Sequence, residues 1–175
     1  MEKALGIINE ARRKRLIGKW AIGGGVAAIR YMESVLTYDV DIFFMPMDPD
    51  TPLMDMTPLV SYLRSKGGKA DGAHVVLEGT PVQLIPAYND LVVEAVNKAL
   101  TVSYGKVKAK ILGKEHVMAI MLQTGRPKDF IRLRQMFQQS SPNKGQFIRL
   151  IKKYDLTGQW ARFMKNYGAP DEKQR

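Results

Sequence analysis

Two aspartates one residue apart, Asp39 and Asp41, follow three consecutive glycines, Gly23, Gly24 and Gly25, and Asp39 stands fourteen residues past Gly25. On an extended strand, residues i and i+2 share a face, so the two carboxylates project together about 7 Å apart. Oxygen donors so placed suit a divalent ion, Mg2+ or Mn2+, because such cations take carboxylate and phosphate oxygens and bridge protein to substrate. Glycines let the backbone approach a ligand closely, and a helix starting directly after them offers unpaired N–H groups to an anion such as a triphosphate. A cation held there would neutralise a nucleoside triphosphate (NTP) and raise the nucleophilicity of an incoming hydroxyl. Each half alone has a plainer reading: the glycine triplet as a tight turn, the Asp-x-Asp strand as a solvated edge. Their order and spacing together favour a site.

These groups need elements to hold them. Residues 19–22 form a short apolar strand running into the glycines, 26–36 read as a helix, and 37–44 alternate with period two, placing Val40, Ile42 and Phe44 opposite the aspartates. Before them, residues 3–16 carry Ala4, Ile7, Ile8 and Ala11 at helical spacing, with Gly18 expected to end the helix. After them come a Pro- and Asp-rich loop at 45–52 and a helix near 55–66 that stops at Gly67-Gly68. Residues 74–77 and 81–86 flank Glu78-Gly79-Thr80 as a hairpin, Asn89 caps a helix over about 90–100, and 101–112 hold one or two short strands.

From residue 114 the pattern is helical. One helix spans 114–124 and ends at Gly125; Pro127 opens the next, with Phe130, Leu133 and Phe137 on its apolar stripe. A break at 140–143 precedes two more helices, and the tail after Gly168 reads as frayed. The expected fold class is α/β (α+β): a mixed sheet flanked by helices, with residues 1–112 as an α/β head and 113–175 as a helical region packed on it.

Composition narrows the chemistry. The chain has 175 residues, 45% of them apolar, and no cysteine, which excludes disulfides, thiolate catalysis and cysteine-ligated metals. Only His74 and His116 are histidines, so a histidine-rich metal site is excluded too. The longest apolar run, 117–122, is far short of a membrane span, and the first fifteen residues lack a secretory signal's apolar stretch, so a cytoplasmic protein is expected. The net charge of +10 is lopsided: residues 1–100 hold 11 basic and 12 acidic side chains, residues 101–175 hold 16 and 5. Such an excess attracts polyanions, nucleic acid first, or simply solvates a helical face.

The glycine turn, the helix and Thr37-Tyr38-Asp39-Val40-Asp41-Ile42 together resemble the signature of the DNA polymerase β-like nucleotidyltransferase superfamily. The later segment, Glu115-His116 and then Gln123-Thr124-Gly125-Arg126-Pro127-Lys128-Asp129, is similar to the helix-turn-helix of the AbiEii-like nucleotidyltransferases. The resemblance covers roughly residues 5–165. It implies a nucleotidyltransferase-like sheet, Mg2+ on Asp39 and Asp41, and Gly23, Gly24 and Gly25 at the triphosphate. It also implies Arg126, Lys128 and Asp129 near the cleft between head and helices. The implied reaction moves a nucleoside monophosphate from an NTP to a hydroxyl, with an RNA end or another cellular target as acceptor and often an antitoxin protein as partner in toxin-like members.

Two departures from that pattern are visible. The family's Gly-Ser or Gly-Thr hydroxyl has no counterpart at Gly24-Gly25, and its third carboxylate, on the neighbouring strand, is matched by Gln83. A neutral amide is neither base nor anionic ligand; Glu78, across the hairpin, is the candidate substitute. A catalytically degraded module that binds nucleic acid or an antitoxin is therefore the alternative reading. A small-molecule transferase of the aminoglycoside-modifying kind ranks last, because it would favour an acidic acceptor pocket.

The remaining conspicuous residues have plain expectations. His116 reads as a surface or capping residue, His74 as structural, and Trp20 and Trp160 as core. Arg126 and Lys128 could instead cap the preceding helix. The cluster Arg149, Lys152, Lys153, Arg162 and Lys165 reads as an RNA surface or a solvated face.

Overall fold

In the computed structural model, which describes residues 1–33, 36–48 and 55–168, the strand built on alternating residues lies at the middle of a mixed sheet. This is β2, Val40–Phe44; its first neighbour is β1, Trp20–Ile22, antiparallel with Ala21 opposite Phe43. Its other neighbour is β5, Thr80–Pro86, parallel with Val40 opposite Val82 and Asp41 opposite Gln83. Val40, Ile42 and Phe44 are buried, as the alternation requires of a central strand.

Outward from β5 come β4, His74–Leu77, and then β3, Lys69–Asp71. On the other side β1 pairs in parallel with β7, Val107–Ile111, which pairs with the edge strand β6, Leu100–Tyr104. The order among the described residues is β3-β4-β5-β2-β1-β7-β6. The β4–β5 hairpin turns on Glu78 and Gly79, both at positive φ, the conformation two-residue hairpin turns favour. That turn fixes the pairing at a distance, so His74 falls opposite Gln83.

The helices before the last strand are α1, Glu2–Arg13; α2, Gly24–Ile29; α3, Thr57–Ser65; and α4, Asp90–Asn97. Asn89 caps α4 by accepting a hydrogen bond from the Val92 N–H. Four helices follow β7: α5, Lys114–Thr124; α6, Pro127–Ser140; α7, Lys144–Lys153; and α8, Thr157–Tyr167. Residues 116–122 of α5 are all buried, so it is the centre of the helical layer, packed by α4, α6, α7 and α8 rather than showing one apolar face. Aromatic rings from α6, α7 and α8 pack on one another; Trp160 stacks on Phe163 and meets Phe147 edge-on. Trp20 is buried, and both tryptophans serve packing, as expected. No helix among the described residues is long and apolar enough to cross a membrane.

Several local expectations are corrected. Helix α1 stops at Arg13, because Arg15 takes the left-handed conformation and the Leu16 N–H returns to the Ala11 carbonyl; Gly18 is not its terminator. Helix α2 ends at Ile29 rather than near residue 36. Its last turn tightens, with the Tyr31 N–H on the Ala28 carbonyl, and the Tyr31 hydroxyl donates to the Leu112 carbonyl. Strand β2 begins at Val40, so 37–39 precede the ladder. Strand β3 was not expected: its three residues are exposed and carry no apolar alternation, and only pairing with β4 makes them a strand. The expected loop at 45–52 falls partly, and the expected frayed tail after Gly168 wholly, outside the described residues.

Candidate active site

Strand β1 delivers the chain into the three glycines, and each is pressed against a side chain from the segment leading through β2. A Cβ on Gly23 would collide with the Phe43 ring, one on Gly24 with the Asp41 carboxylate, and one on Gly25 would lie 2.6 Å from Thr37 Oγ1. Asp41 and Phe43 share one face of β2 and Thr37 precedes that strand, so the triplet is the bed on which this whole segment rests. Gly24 also has φ +52°, which an L side chain rarely adopts. The Gly25 N–H donates to the Asp41 carboxylate, so the second amide of the six-residue α2 serves a protein carboxylate here.

Asp39 and Asp41 differ in surroundings. Asp39 Oδ2 lies 3.1 Å from His74 Nε2, and Oδ1 accepts from the Thr37 hydroxyl at 3.1 Å. Partial burial opposes its charge, but the His74 and Thr37 hydrogen bonds prevail and hold its pKa below the ordinary value. Asp41 is pushed the other way, by burial first and then by the neighbouring charge of Asp39. Arg126, Lys128 and the Gly25 amide counter this only in part. The two aspartates therefore repel each other within reach of two cations.

Those cations come from the α5–α6 junction. Gly125 ends α5 in the left-handed conformation, and Arg126 then donates through Nε to Asp129 Oδ2 at 2.6 Å and through a terminal nitrogen to Oδ1 at 3.2 Å. Asp129 is 2% exposed and also accepts from the Thr124 hydroxyl. A buried carboxylate thus holds the guanidinium in place, a more specific arrangement than capping of α5.

A cavity of about 340 Å3 joins these groups. Gly24, Gly25, Asp39, Asp41, Arg126 and Lys128 all line it, and Gly23 does not. Its inner wall is apolar, from Phe43, Leu112, Val117, Ile120 and Met121. Gln83, beside Asp41 in register, faces the same space. Glu78 does not: it lies in the hairpin turn, ion-paired with Lys3 at 3.5 Å. The cavity is therefore lined by the carboxylates of Asp39 and Asp41 with a neighbouring amide, and by Asp129, which Arg126 and Thr124 already engage; the hairpin adds none. Among the described residues no cluster of three or more His, Asp or Glu side chains is gathered to hold a metal ion.

Sequence reasoning missed three site features. His74 was expected to be merely structural, yet it touches Asp39. The two-residue turn at 78–79 carried the signal, since it sets His74 opposite Gln83 and so beside the carboxylates. Tyr38, 79% exposed, and Tyr88 stand at the cavity mouth, where no periodicity marks them. Arg132 lines the cavity and donates to the Leu36 carbonyl. His116, expected at the surface, is buried, with Nε2 3.3 Å from Glu94 Oε1.

The fold has solved relatives. An antigenic nucleotidyltransferase-like protein from Paracoccidioides brasiliensis superposes with a TM-score of 0.54 at 14% identity, over 95% of this chain and 88% of that one. ANT(2")-Ia in complex with adenylyl-2"-tobramycin gives 0.48 at 14% identity, over 93% and 96%, and its solution structure 0.49 at 14%, over 95% and 98%. No family model and no curated protein matches the chain. At this identity the likeness establishes the fold: a mixed seven-stranded sheet, among the described residues, flanked by helices in the nucleotidyltransferase-like arrangement.

Proposed function

We propose that this protein transfers a nucleoside monophosphate from an NTP to a hydroxyl acceptor. The observation that carries the reading is one cavity lined both by the Asp39/Asp41 pair and by Arg126 and Lys128. Anionic ligands for a cation and cationic ligands for phosphate in one cavity are what a metal–triphosphate complex requires. The nucleotidyltransferase-like fold supports it. The Gly125–Asp129 element supports kinship with the AbiEii-like proteins.

The donor set fits Mg2+ or Mn2+ of a particular kind. Asp39 and Asp41 both present carboxylates to one cavity, and two carboxylates plus phosphate and water suffice for Mg2+. When bound, the ion supplies charge neutralisation on the triphosphate. Arg126, fixed by Asp129, and Lys128 would pair with phosphate oxygens. The His74 and Thr37 hydrogen bonds hold Asp39 ionised and oriented. In the transfer, the acceptor oxygen bonds to the α-phosphorus, the bond to the bridging oxygen breaks, pyrophosphate leaves and the acceptor proton passes to solvent.

Calorimetry with NTP and Mg2+ tests this on wild type and Asp41→Asn. Metal-dependent binding that the variant loses is expected; no binding by either, or equal binding by both, overturns the reading.

One observation favours a second reading, a module that keeps the fold without turnover. Gln83, not an acid, stands beside Asp41, and Glu78 points elsewhere. In that case the exposed cations Arg149, Lys152, Arg162 and Lys165 of α7 and α8 would serve an RNA or antitoxin partner. Incubation with labelled NTP and total RNA separates the two: incorporation abolished by Asp39→Ala excludes the second.

A further inference from the structure

Residues 37–39 have two sides. Thr37, Tyr38 and Asp39 line the cavity already described and also a second one, of about 600 Å3, beyond them. The cations Arg126, Lys128 and Arg132 line the first and not the second. In an in-line displacement the attacking and leaving oxygens lie on opposite sides of the phosphorus. If cations of the first cavity hold the departing pyrophosphate, the attacking hydroxyl must come from a side without them. The second cavity meets that condition and shares Asp39 with the first.

Its chemistry limits what it can take. Val26 and Ile29 of α2, Val40 of β2, and Val102 and Ile111 of the last hairpin give it apolar walls. Ile29 is 48% exposed there, an apolar surface that the fold itself leaves uncovered. Hydroxyls come from Thr37, Tyr38, Thr80, Ser103 and Tyr104, uncharged hydrogen-bonding groups. Among the described residues its charged side chains are Asp39 and Arg30, one of each sign, and Met1 also lines it. A polycation would find a single carboxylate and meet Arg30; a nucleic-acid strand would find one cation and apolar walls where its phosphates need several cations.

We propose that this second cavity is the acceptor subsite and that it takes an uncharged hydroxyl compound with an apolar, aromatic-sized body. The proposal rests on the nucleotidyl-transfer reading and adds to it the class of the acceptor. The acceptor oxygen becomes bonded to the α-phosphorus, pyrophosphate departs toward Arg126 and Lys128, and the hydroxyl proton is released to water.

The test uses 4-methylumbelliferone as probe, its fluorescence polarisation reporting binding and loss of its fluorescence reporting transfer. Tobramycin and a single-stranded oligoribonucleotide with a free 3′ hydroxyl are the competing acceptors. Ile29→Trp fills the second cavity from an exposed position and lines only that cavity. Expected are probe binding and transfer in wild type, at least a tenfold rise in the probe's KM in Ile29→Trp, and an unchanged calorimetric Kd for NTP–Mg2+. Arg30→Ala serves as the second variant should Ile29→Trp fail to fold, and is expected to leave probe binding within twofold while improving tobramycin binding. Normal NTP binding with no probe binding overturns the subsite alone, as does transfer to tobramycin or RNA that Ile29→Trp leaves intact. Absence of NTP binding overturns the underlying reading and the subsite with it.

Discussion

The Asp41 carboxylate occupies the space in which a side chain on Gly24 would have to stand. Strand β2 and the turn after β1 are therefore fitted to each other at one residue pair. Gly24→Ala adds a methyl group at φ +52° and drives it into that carboxylate. It should cost about 1–3 kcal/mol of stability by denaturant titration and abolish metal-dependent NTP binding by moving Asp41. A variant with wild-type stability and affinity would show that the close approach is unimportant.

Thr37 and Gly25 form a second fitted pair. A Cβ on Gly25 would lie 2.7 Å from Thr37 Cβ as well as 2.6 Å from its hydroxyl, so Thr37→Ala cannot relieve it, whereas Thr37→Gly can. Gly25→Ala should be more damaging in wild type than in Thr37→Gly, with a coupling of about 0.5–3 kcal/mol in a double-mutant cycle. Additive effects would refute the pairing.

Asp41 carries a stability prediction of unusual sign. Its folded pKa is raised by burial and by Asp39, so the folded state binds its proton more tightly than the unfolded state does. The resulting penalty is absent below the unfolded carboxylate pKa and complete above the folded value. Asp41→Asn should therefore stabilise the ligand-free protein by about 0.5–2 kcal/mol at pH 7 and leave it unchanged at strongly acid pH, while losing NTP binding. Urea midpoints at several pH values, with and without NTP–Mg2+, measure both effects; a destabilised Asp41→Asn at pH 7 contradicts the assignment.

Glu94 behaves in the opposite way. Lys153, Lys98 and the Tyr154 hydroxyl bond to it, outweighing its burial, and His116 adds to them; together they hold its pKa well below the carboxylate range. Its stabilisation is present above the unfolded carboxylate pKa and is lost as pH falls through the folded value. Because it ties α4 to α5 and to the end of α7, Glu94→Gln should lower stability by about 1–3 kcal/mol at pH 7, with a vanishing difference in strong acid. Equal stability at pH 7 would mean that the cluster is solvated.

Beside it, burial lowers the pKa of His116 despite the nearby Glu94. The unfolded chain takes up this proton first, so stability falls as pH drops below the ordinary histidine value toward the folded one. His116→Gln should flatten that limb of the pH–stability curve. An unchanged limb would assign it to other groups.

Much of this molecule is legible from short-range patterns. The alternation at 37–44 marks the central strand, Glu78-Gly79-Thr80 marks a hairpin, Asn89 marks a helix start, and Gly125 with Pro127 marks the junction carrying Arg126 and Lys128. Each is governed by backbone sterics or capping within a few residues, so spacing alone reveals it. The burial of His116 and the shortness of α2 are not written locally. The first depends on Glu94, 22 residues away, and the second on a hydrogen bond from Tyr31 to Leu112.

The amino-acid order by itself determined that two carboxylates stand at and just before the start of a strand that follows a glycine turn, and that the later part of the chain is basic and helical. Only the tertiary structure decided what those carboxylates face. His74 meets Asp39 because β4, β5 and β2 align in one register, and Arg126 reaches the cavity because buried Asp129 fixes it. Residues 37–39 line two cavities at once, the second of them walled by α2 and the β6–β7 hairpin. Periodicity sets the direction in which a side chain leaves its own backbone. Which groups meet it across 35 or more residues of chain is set by strand register and packing, and no local spacing encodes that.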